Sequence, residues 1–147
     1  MKTSKLSRVL SVILCIALLA AAALTLTGCQ KTPKSSPQTA QTVSDGAVLG
    51  QGKTQFTLTI ADLSGAETHV TVNTDEKTVG AALLSLGVIA GEDGPYGLYV
   101  KSVNGITADY DKDQTYWAFY QDGQYASAGI DQTDVTPGAA YALRVSK

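Results

Sequence analysis

The sequence has few of the residues that build covalent or metal-based sites. It contains two cysteines, Cys15 and Cys29, and one histidine, His69. Disulfide frameworks and zinc centres need several cysteines or histidines close together. No glycine–serine–glycine nucleophile turn is present either. We therefore expect a protein that is not an enzyme and that holds its fold by packing alone.

Long apolar runs are also scarce, with one exception near the N-terminus. Residues 9–24 are apolar except for Ser11, and the preceding residues include Lys2, Lys5 and Arg8 without an acid. A helix needs about 20 apolar residues to cross a bilayer. A basic segment followed by this shorter apolar run therefore indicates a signal peptide.

The residues that follow define the type of signal peptide. Leu26, Thr27, Gly28 and Cys29 resemble the lipobox of bacterial lipoproteins. The resemblance implies cleavage before Cys29, a diacylglycerol on its thiol and a further acyl chain such as palmitate. Two acyl chains hold a protein stably to a bilayer. We expect an extracytoplasmic protein, lipid-anchored to the bacterial cell membrane; an ordinary signal peptide that ends near a cysteine is the alternative.

Composition divides the chain into three parts. Residues 1–28 are the predicted signal peptide, 29–52 the lipidated cysteine with a flexible linker, and 53–147 the folded domain. The linker is rich in Ser, Thr, Gln, Pro and Gly, which is typical of a disordered tether. The mature chain would keep eight of the eleven basic residues and all thirteen acids, a net charge of −5. This charge argues against nucleic acid as a partner.

The segment from residue 53 onward predicts an α+β domain. Phe56, Leu58 and Ile60 alternate with threonines, which indicates a half-buried strand, and residues 68–72 form a second strand. Residues 78–86 have apolar side chains at helical spacing, with Thr78 or Asp75 as the cap and a glycine stop at 87.

Further strands are predicted at residues 98–103, 116–121, 124–127 and 140–145, and residues 91–97 are predicted as a turn. Asn104-Gly105 is typical of a tight hairpin turn. Two strands, one helix and then several strands predict a β-grasp-like mixed sheet with one packed helix.

The densest aromatic stretch is TYWAFYQDGQYASAG, residues 115–129. Asp122-Gly123 predicts a two-residue type I′ turn, which places Tyr120 opposite Tyr125. Because side chains alternate along a strand, the two faces should differ. One carries Trp117, Phe119, Ala126 and Ala128, and we expect it to be core. The other carries Tyr116, Ala118, Tyr120, Tyr125 and Ser127. Tyrosines are common at interfaces, so this second face is either a binding face or only a cross-strand pair.

Four segments carry a resemblance to known proteins: TVGAALLSLG, YGLYVKSVNGI, TYWAFYQDGQYASAGID and YALRV. In order and spacing they are similar to a domain of unassigned function found in bacterial surface lipoproteins. The same pattern resembles the small C-terminal domain of the transcobalamin and intrinsic-factor proteins, over about residues 77–146. The resemblance implies a β-grasp relative that binds a soluble ligand. In the cobalamin carriers this domain covers one face of the corrin, while a helical domain, which this sequence does not show, holds the other.

By matching positions, the resemblance implies that Tyr96, Leu98, Tyr99 and Trp117 lie nearest the ligand. The tyrosine face adds Tyr120 and Tyr125. The expected function is non-catalytic capture of a small molecule, such as cobalamin, for delivery to a transporter, with no resident cofactor. The alternative is a surface module that binds another protein through the same aromatic residues.

Asp109, Asp111 and Asp113 form the best candidate for a metal site, because alternate carboxylates can hold Ca²⁺. An EF-hand loop would need a glycine and a glutamate where this chain has Gln114 and Tyr120. We therefore expect a solvated acidic loop here and no metal centre. His69 lies in a strand-like run, where an exposed strand residue is expected.

Overall fold

A computed structural model of the protein describes residues 39–147. The predicted signal peptide, Cys29 and the first part of the predicted linker lie outside these residues. Between residues 39 and 147, no helix has the length and apolar character that a membrane span requires. The elements in chain order are β1 Val48–Leu49, β2 Thr54–Ala61, β3 Glu67–Thr74, α1 Val79–Ser85, β4 Ile89–Gly94, β5 Gly97–Val103, β6 Ile106–Thr107, α2 Tyr110–Asp113, β7 Tyr116–Gln121, β8 Gln124–Tyr125 and β9 Ala140–Ser146.

The strands form two sheets. The larger has the order β1-β3-β2-β9-β7-β8, and the smaller has the order β4-β5-β6. In the larger sheet β2 is antiparallel to β3 and parallel to β9, whereas β7 is antiparallel to β9. The predicted α+β class and mixed sheet are confirmed. The expectation of a single sheet with one helix is wrong, because β4, β5 and β6 pair separately and α2 is a second short helix.

Helix α1 begins and ends where the sequence predicts. The Thr78 hydroxyl accepts a hydrogen bond from the Ala81 backbone at 3.3 Å and caps the first turn. Gly87 has a φ of +66°, the left-handed conformation that a glycine stop adopts most easily. The helix packs into the core with the apolar side chains of Val79, Ala82 and Leu83 fully buried.

Strand β4 replaces most of the turn predicted at residues 91–97. It pairs with β5 across a register shift between Ala90 and Gly91. A Cβ atom at position 91 would collide with the carbonyl oxygen of Tyr99, so the close approach needs glycine. Glycines and acids in the sequence predict a turn because they are rare in central strands. They are accommodated here because β4 lies at the edge of its sheet.

Residues 40–50, which we call the strap, contradict the predicted flexible linker. The Ala40 backbone donates to Ser102 Oγ at 3.2 Å, and the Val43 backbone donates to Asn104 Oδ1 at 2.6 Å. Farther along, β1 pairs in parallel with β3. The strap thus bonds to both sheets through its backbone. The folded unit therefore begins well before residue 53.

The strap provides a test of where the domain begins. A chain that starts at residue 53 should lose several strap hydrogen bonds, each worth about 1 kcal/mol net. We expect its free energy of unfolding to be lower by about 2 kcal/mol or more than that of a chain starting at residue 39, as measured by urea denaturation. The mature chain, residues 29–147, is the control and should match the 39–147 form. Equal stability of the 53–147 and 39–147 forms would contradict a structural strap.

Candidate functional site

The β7–β8 hairpin has the predicted turn and register. Asp122 and Gly123 both have positive φ, at +49° and +80°, as a type I′ turn requires. Tyr120 lies opposite Tyr125, and the Ala126 backbone donates to Phe119 O at 3.0 Å. Ladder pairing in β8 ends at Tyr125, so the predicted strand to residue 127 is too long. Ala128, predicted to face the core, is exposed for this reason.

Strand β7 has a core face and an opposite face, on which Ala118 is buried and the tyrosines are half-buried. Trp117 and Phe119 belong to the core, each with 8% of its surface exposed, and the Phe119 ring stacks on Tyr141 at 5.9 Å between centroids. Tyr116 and Tyr120 lie on the opposite face by strand alternation and are half-buried. The predicted division of the hairpin into a core face and a tyrosine face is therefore present in β7.

The outward face places two tyrosines beside small residues. The rings of Tyr120 and Tyr125 meet edge to face at 5.4 Å between centroids. Across the sheet, Tyr120 lies opposite Ala142, which in turn lies beside Thr59. The two tyrosine rings thus lie beside a flat surface formed by the small side chains of the neighbouring strands. We call Tyr120, Tyr125, Ala142 and Thr59 the tyrosine ledge.

An ion pair lies on the neighbouring row of the same face. The Arg144 guanidinium donates to Glu67 Oε1 at 2.9 Å. Arg144 lies opposite Ala118, one row away from the Tyr120–Ala142 pair. The face therefore offers aromatic rings, short aliphatic side chains and a paired cation, a combination that can hold a flat ligand with polar edges.

The other predicted site residues are distributed over different surfaces. Trp117 lies on the face opposite Tyr120 and is buried, so it does not join the tyrosine ledge. Leu98 and Tyr99 are consecutive in β5 and face opposite sides; Leu98 packs against the core and Tyr99 is exposed. Among the aromatic residues described, the single ring contact within the predicted set is Tyr120 with Tyr125. The six residues are therefore not one continuous site in this conformation.

Tyr99 belongs to a polar cluster on the small sheet. The Lys101 ammonium lies 5.7 Å from the centre of the Tyr99 ring. Lys101 also forms an ion pair with Glu92, and this contact raises the pKa of Lys101. Such an arrangement holds the exposed Tyr99 ring beside a fixed cation.

Tyr96 lies at the tip of the β4–β5 hairpin with 92% of its surface exposed. Its carbonyl oxygen accepts a hydrogen bond from Gln132 Nε2 at 3.2 Å. The next residue, Gly97, has a φ of +111°, and a Cβ there would lie 2.7 Å from Asp131 Oδ2. The loop after β8 thus holds the Tyr96 turn in place.

Asp131 is a residue whose role could not be inferred from the sequence. A Cβ at Gly129 would lie 2.8 Å from its Oδ1, and one at Gly80 would lie 2.7 Å from its Cα. Asp131 therefore packs among glycines from α1, the β4–β5 turn and its own loop. Within residues 39–147 its Oδ1 is shielded from solvent and has no hydrogen-bond partner. The glycine at 129 in the ASAGID segment is the sequence signal for this close packing.

The acidic segment at residues 109–113 forms loop caps. The Asp109 side chain accepts from the Asp111 backbone at 3.1 Å and pairs with Lys112 at 3.1 Å. Asp113 accepts hydrogen bonds from both the backbone and the hydroxyl of Thr115. In residues 39–147, no three His, Cys, Asp or Glu side chains are grouped so as to hold a metal ion.

These hydrogen bonds predict acid sensitivity. The Lys112 contact lowers the pKa of Asp109, and hydrogen bonds from Thr115 and Ser64 lower those of Asp113 and Asp62 respectively. A carboxyl group with a lowered folded-state pKa stabilises the fold above its unfolded pKa of about 4, and this stabilisation is lost as the pH falls further. We expect the melting temperature to fall between about pH 4 and pH 2.

Replacement of a capping carboxylate isolates this effect. Asp62→Asn should flatten the decline in melting temperature below pH 4. The control is Asp93→Asn, at an exposed carboxylate of β4 with no hydrogen bond among the described residues. The explanation fails if the two variants lose stability in parallel as the solution is acidified.

Comparison with known proteins adds to this geometry. Residues 76–140 match a domain of unknown function, DUF4430. A solved protein of Ruminococcus gnavus ATCC 29149, described as a candidate metal-binding protein, is 32% identical. The match covers 65% of this chain and 98% of that one, with a TM-score of 0.61. No curated protein that was compared is significantly similar.

Haptocorrin, solved in complex with Cbi, is 24% identical over 67% of this chain, with a TM-score of 0.48. The matched part is 26% of the haptocorrin chain. The resemblance inferred from the sequence to a domain of unknown function is confirmed.

The α+β domain is therefore of a kind already seen in a solved structure. The chain belongs to the family of the Ruminococcus gnavus protein, which it covers almost completely.

Proposed function

We propose that this protein is a membrane-anchored extracytoplasmic lipoprotein whose β-grasp-like domain captures a small ligand without catalysis. The observation that carries the binding proposal is the tyrosine ledge. Tyr125 has 64% of its surface exposed, although it pairs with Tyr120. The core is already supplied with aromatic rings by Phe56, Phe119 and Tyr141. Tyrosines beyond that core, beside a floor of small residues, are suited to contact a ligand.

The ligand class proposed is a corrinoid such as cobalamin. The sequence resemblance to the cobalamin carriers supports this class. A flat macrocycle can rest its face on Ala142 and Thr59 and its edge against the tyrosine rings. Corrinoids bring cobalt already coordinated, so a protein needs no metal-ligating cluster of its own to bind one. This agrees with the lack of such a cluster in residues 39–147 and with the metal-related description of the relative.

A single open face limits the affinity. Small-molecule sites usually bury most of the ligand surface, whereas a sheet face contacts one side only. A transporter or another protein would supply the second wall when the ligand is delivered. The free domain should therefore bind with micromolar rather than nanomolar affinity.

Calorimetric titration of the mature chain, residues 29–147, with cobalamin tests the proposal. We expect a dissociation constant on the order of 1–100 μM, corresponding to about −8 to −5.5 kcal/mol. Tyr120→Ala and Tyr125→Ala should each remove measurable binding, because they delete the rings of the ledge. Tyr110→Ala is the matched control, since Tyr110 is an exposed tyrosine on α2, outside the ledge.

The absence of heat at about 1 mM cobalamin, equivalent to a binding free energy weaker than about −4 kcal/mol, would reject the corrinoid. The second candidate is a protein-interaction module, which the exposed Tyr96 and Tyr125 side chains favour because interfaces are enriched in tyrosine. Cross-linking from position 125 in cells would then identify the partner.

The anchor has its own test. Cys29→Ser in the full chain should abolish the cleaved, acylated form of the protein, because the cysteine that carries the lipid and marks the cleavage site is lost. Incorporation of labelled palmitate should disappear in the same variant. Cys15→Ser, within the predicted signal peptide, is the control and should leave both unchanged. Continued incorporation of palmitate by the Cys29→Ser protein would count against lipid anchoring at this residue.

A further inference from the structure

An open cavity of about 260 Å³, lined mostly by exposed residues, lies apart from the tyrosine ledge. Three segments form its walls: the strap and the residues just after it, the end of β3 with the turn that follows, and the end of α1. The lining residues are Gly50, Gln51, Asn73, Thr74, Asp75, Glu76, Ser85 and Leu86. None of them is aromatic, and none belongs to the predicted ligand site.

The wall formed by the strap is held close to β3. Gly50 has a φ of +71°, and a Cβ there would collide with the carbonyl oxygen of Asn73. A Cβ at Gly52 would likewise collide with the Thr74 backbone. The Lys53 backbone then donates to Asp75 Oδ1 at 3.0 Å. These contacts fix the cavity as part of the fold.

Several polar groups of the cavity are already bonded. Thr74 Oγ1 accepts from the Glu76 backbone at 3.0 Å, Asn73 Oδ1 accepts from Gln55, and Ser85 Oγ donates to Ala82 O. Among the described residues, the Glu76 carboxylate and the Gln51 carboxamide make no hydrogen bond or ion pair. They leave a negative acceptor and an amide with both donor and acceptor capacity for a ligand.

The size and chemistry of the cavity together limit the ligand. A volume of 260 Å³ equals that of about nine waters, which suits a molecule of about a dozen non-hydrogen atoms. An ammonium group is the natural partner of an unpaired carboxylate, and hydroxyl groups pair well with a carboxamide. A bare metal ion would leave most of this space filled with water. The geometry points to a site for a small hydroxylated amine of the size of an amino sugar.

This site is independent of the corrinoid proposal. The cavity involves β3 and the strap, whereas the ledge tyrosines are on β7 and β8 at the opposite edge of the larger sheet. Loss of binding at one should leave the other unchanged.

NMR titration of the mature chain with D-glucosamine tests the assignment. We expect saturable shifts of the Gly50, Gln51, Glu76 and Leu86 amides at millimolar ligand. N-acetyl-D-glucosamine and D-glucose have similar rings without the positive charge, and both should bind more weakly. Glu76→Gln removes the charge at nearly constant shape and should weaken glucosamine binding by about threefold or more. Asp93→Asn, at an exposed acid on β4, is the control and should bind as the wild type does.

Three results would overturn the site. The first is the absence of a saturable shift at the cavity amides up to about 50 mM glucosamine. A dissociation constant above that concentration would not indicate a specific site. The second is equal affinity for glucosamine and its N-acetyl derivative, and the third is undiminished binding by Glu76→Gln. Tyr125→Ala separates the two sites, since it should leave glucosamine shifts intact. If that variant abolished them, the shifts would report the ledge and the cavity assignment would be wrong.

Discussion

The packing of the domain depends on the side chain of Tyr141, which connects the larger sheet to the loop beside helix α1. It is 1% exposed, meets Phe56 edge to face at 5.2 Å and stacks on Phe119 at 5.9 Å. Its hydroxyl donates to Asp134 O and accepts from the Thr136 backbone, both at 3.1 Å. The loop held in this way bonds to the start of α1 through Val135 N to Lys77 O. One residue therefore joins the central strand β9, the helix and the loop that carries Asp131.

The orientation of the candidate binding face follows from this packing. Phe119 must face inward to stack on Tyr141, and strand alternation then turns Tyr120 outward. The type I′ turn brings Tyr125 across from Tyr120 without further adjustment. A change that moved Phe119 by one position along β7 would bury the tyrosines and expose the core. In β7, the core and the candidate ligand surface are thus opposite faces of one strand.

The features predicted correctly from the sequence are those fixed by neighbouring residues. The β7–β8 register depends on Asp122-Gly123, and α1 depends on Thr78, its apolar spacing and Gly87. The features missed depend on distant partners. Val43 bonds to Asn104, and the Asp45 carboxylate accepts from the His69 backbone. A polar, glycine-containing strap gives no apolar periodicity that would reveal such bonds. The six predicted ligand residues lie on different surfaces for a related reason. Spacing determines which face of a strand a side chain takes, but not how two sheets are placed around it.

Many carboxylates of the domain have a structural role. Six aspartates accept hydrogen bonds from backbone N–H groups in turns and loop ends: Asp45, Asp62, Asp75, Asp109, Asp113 and Asp122. Their short side chains suit this use. The pattern Asp109-x-Asp111-x-Asp113 looks like a cation site in the sequence because caps and cation ligands use the same residue type. Glu76 has a longer side chain, lines a cavity and makes no such bond in the described part of the chain. Glu76 is exposed beside an open cavity and stabilises no turn, so its charge is the one that we propose for a ligand.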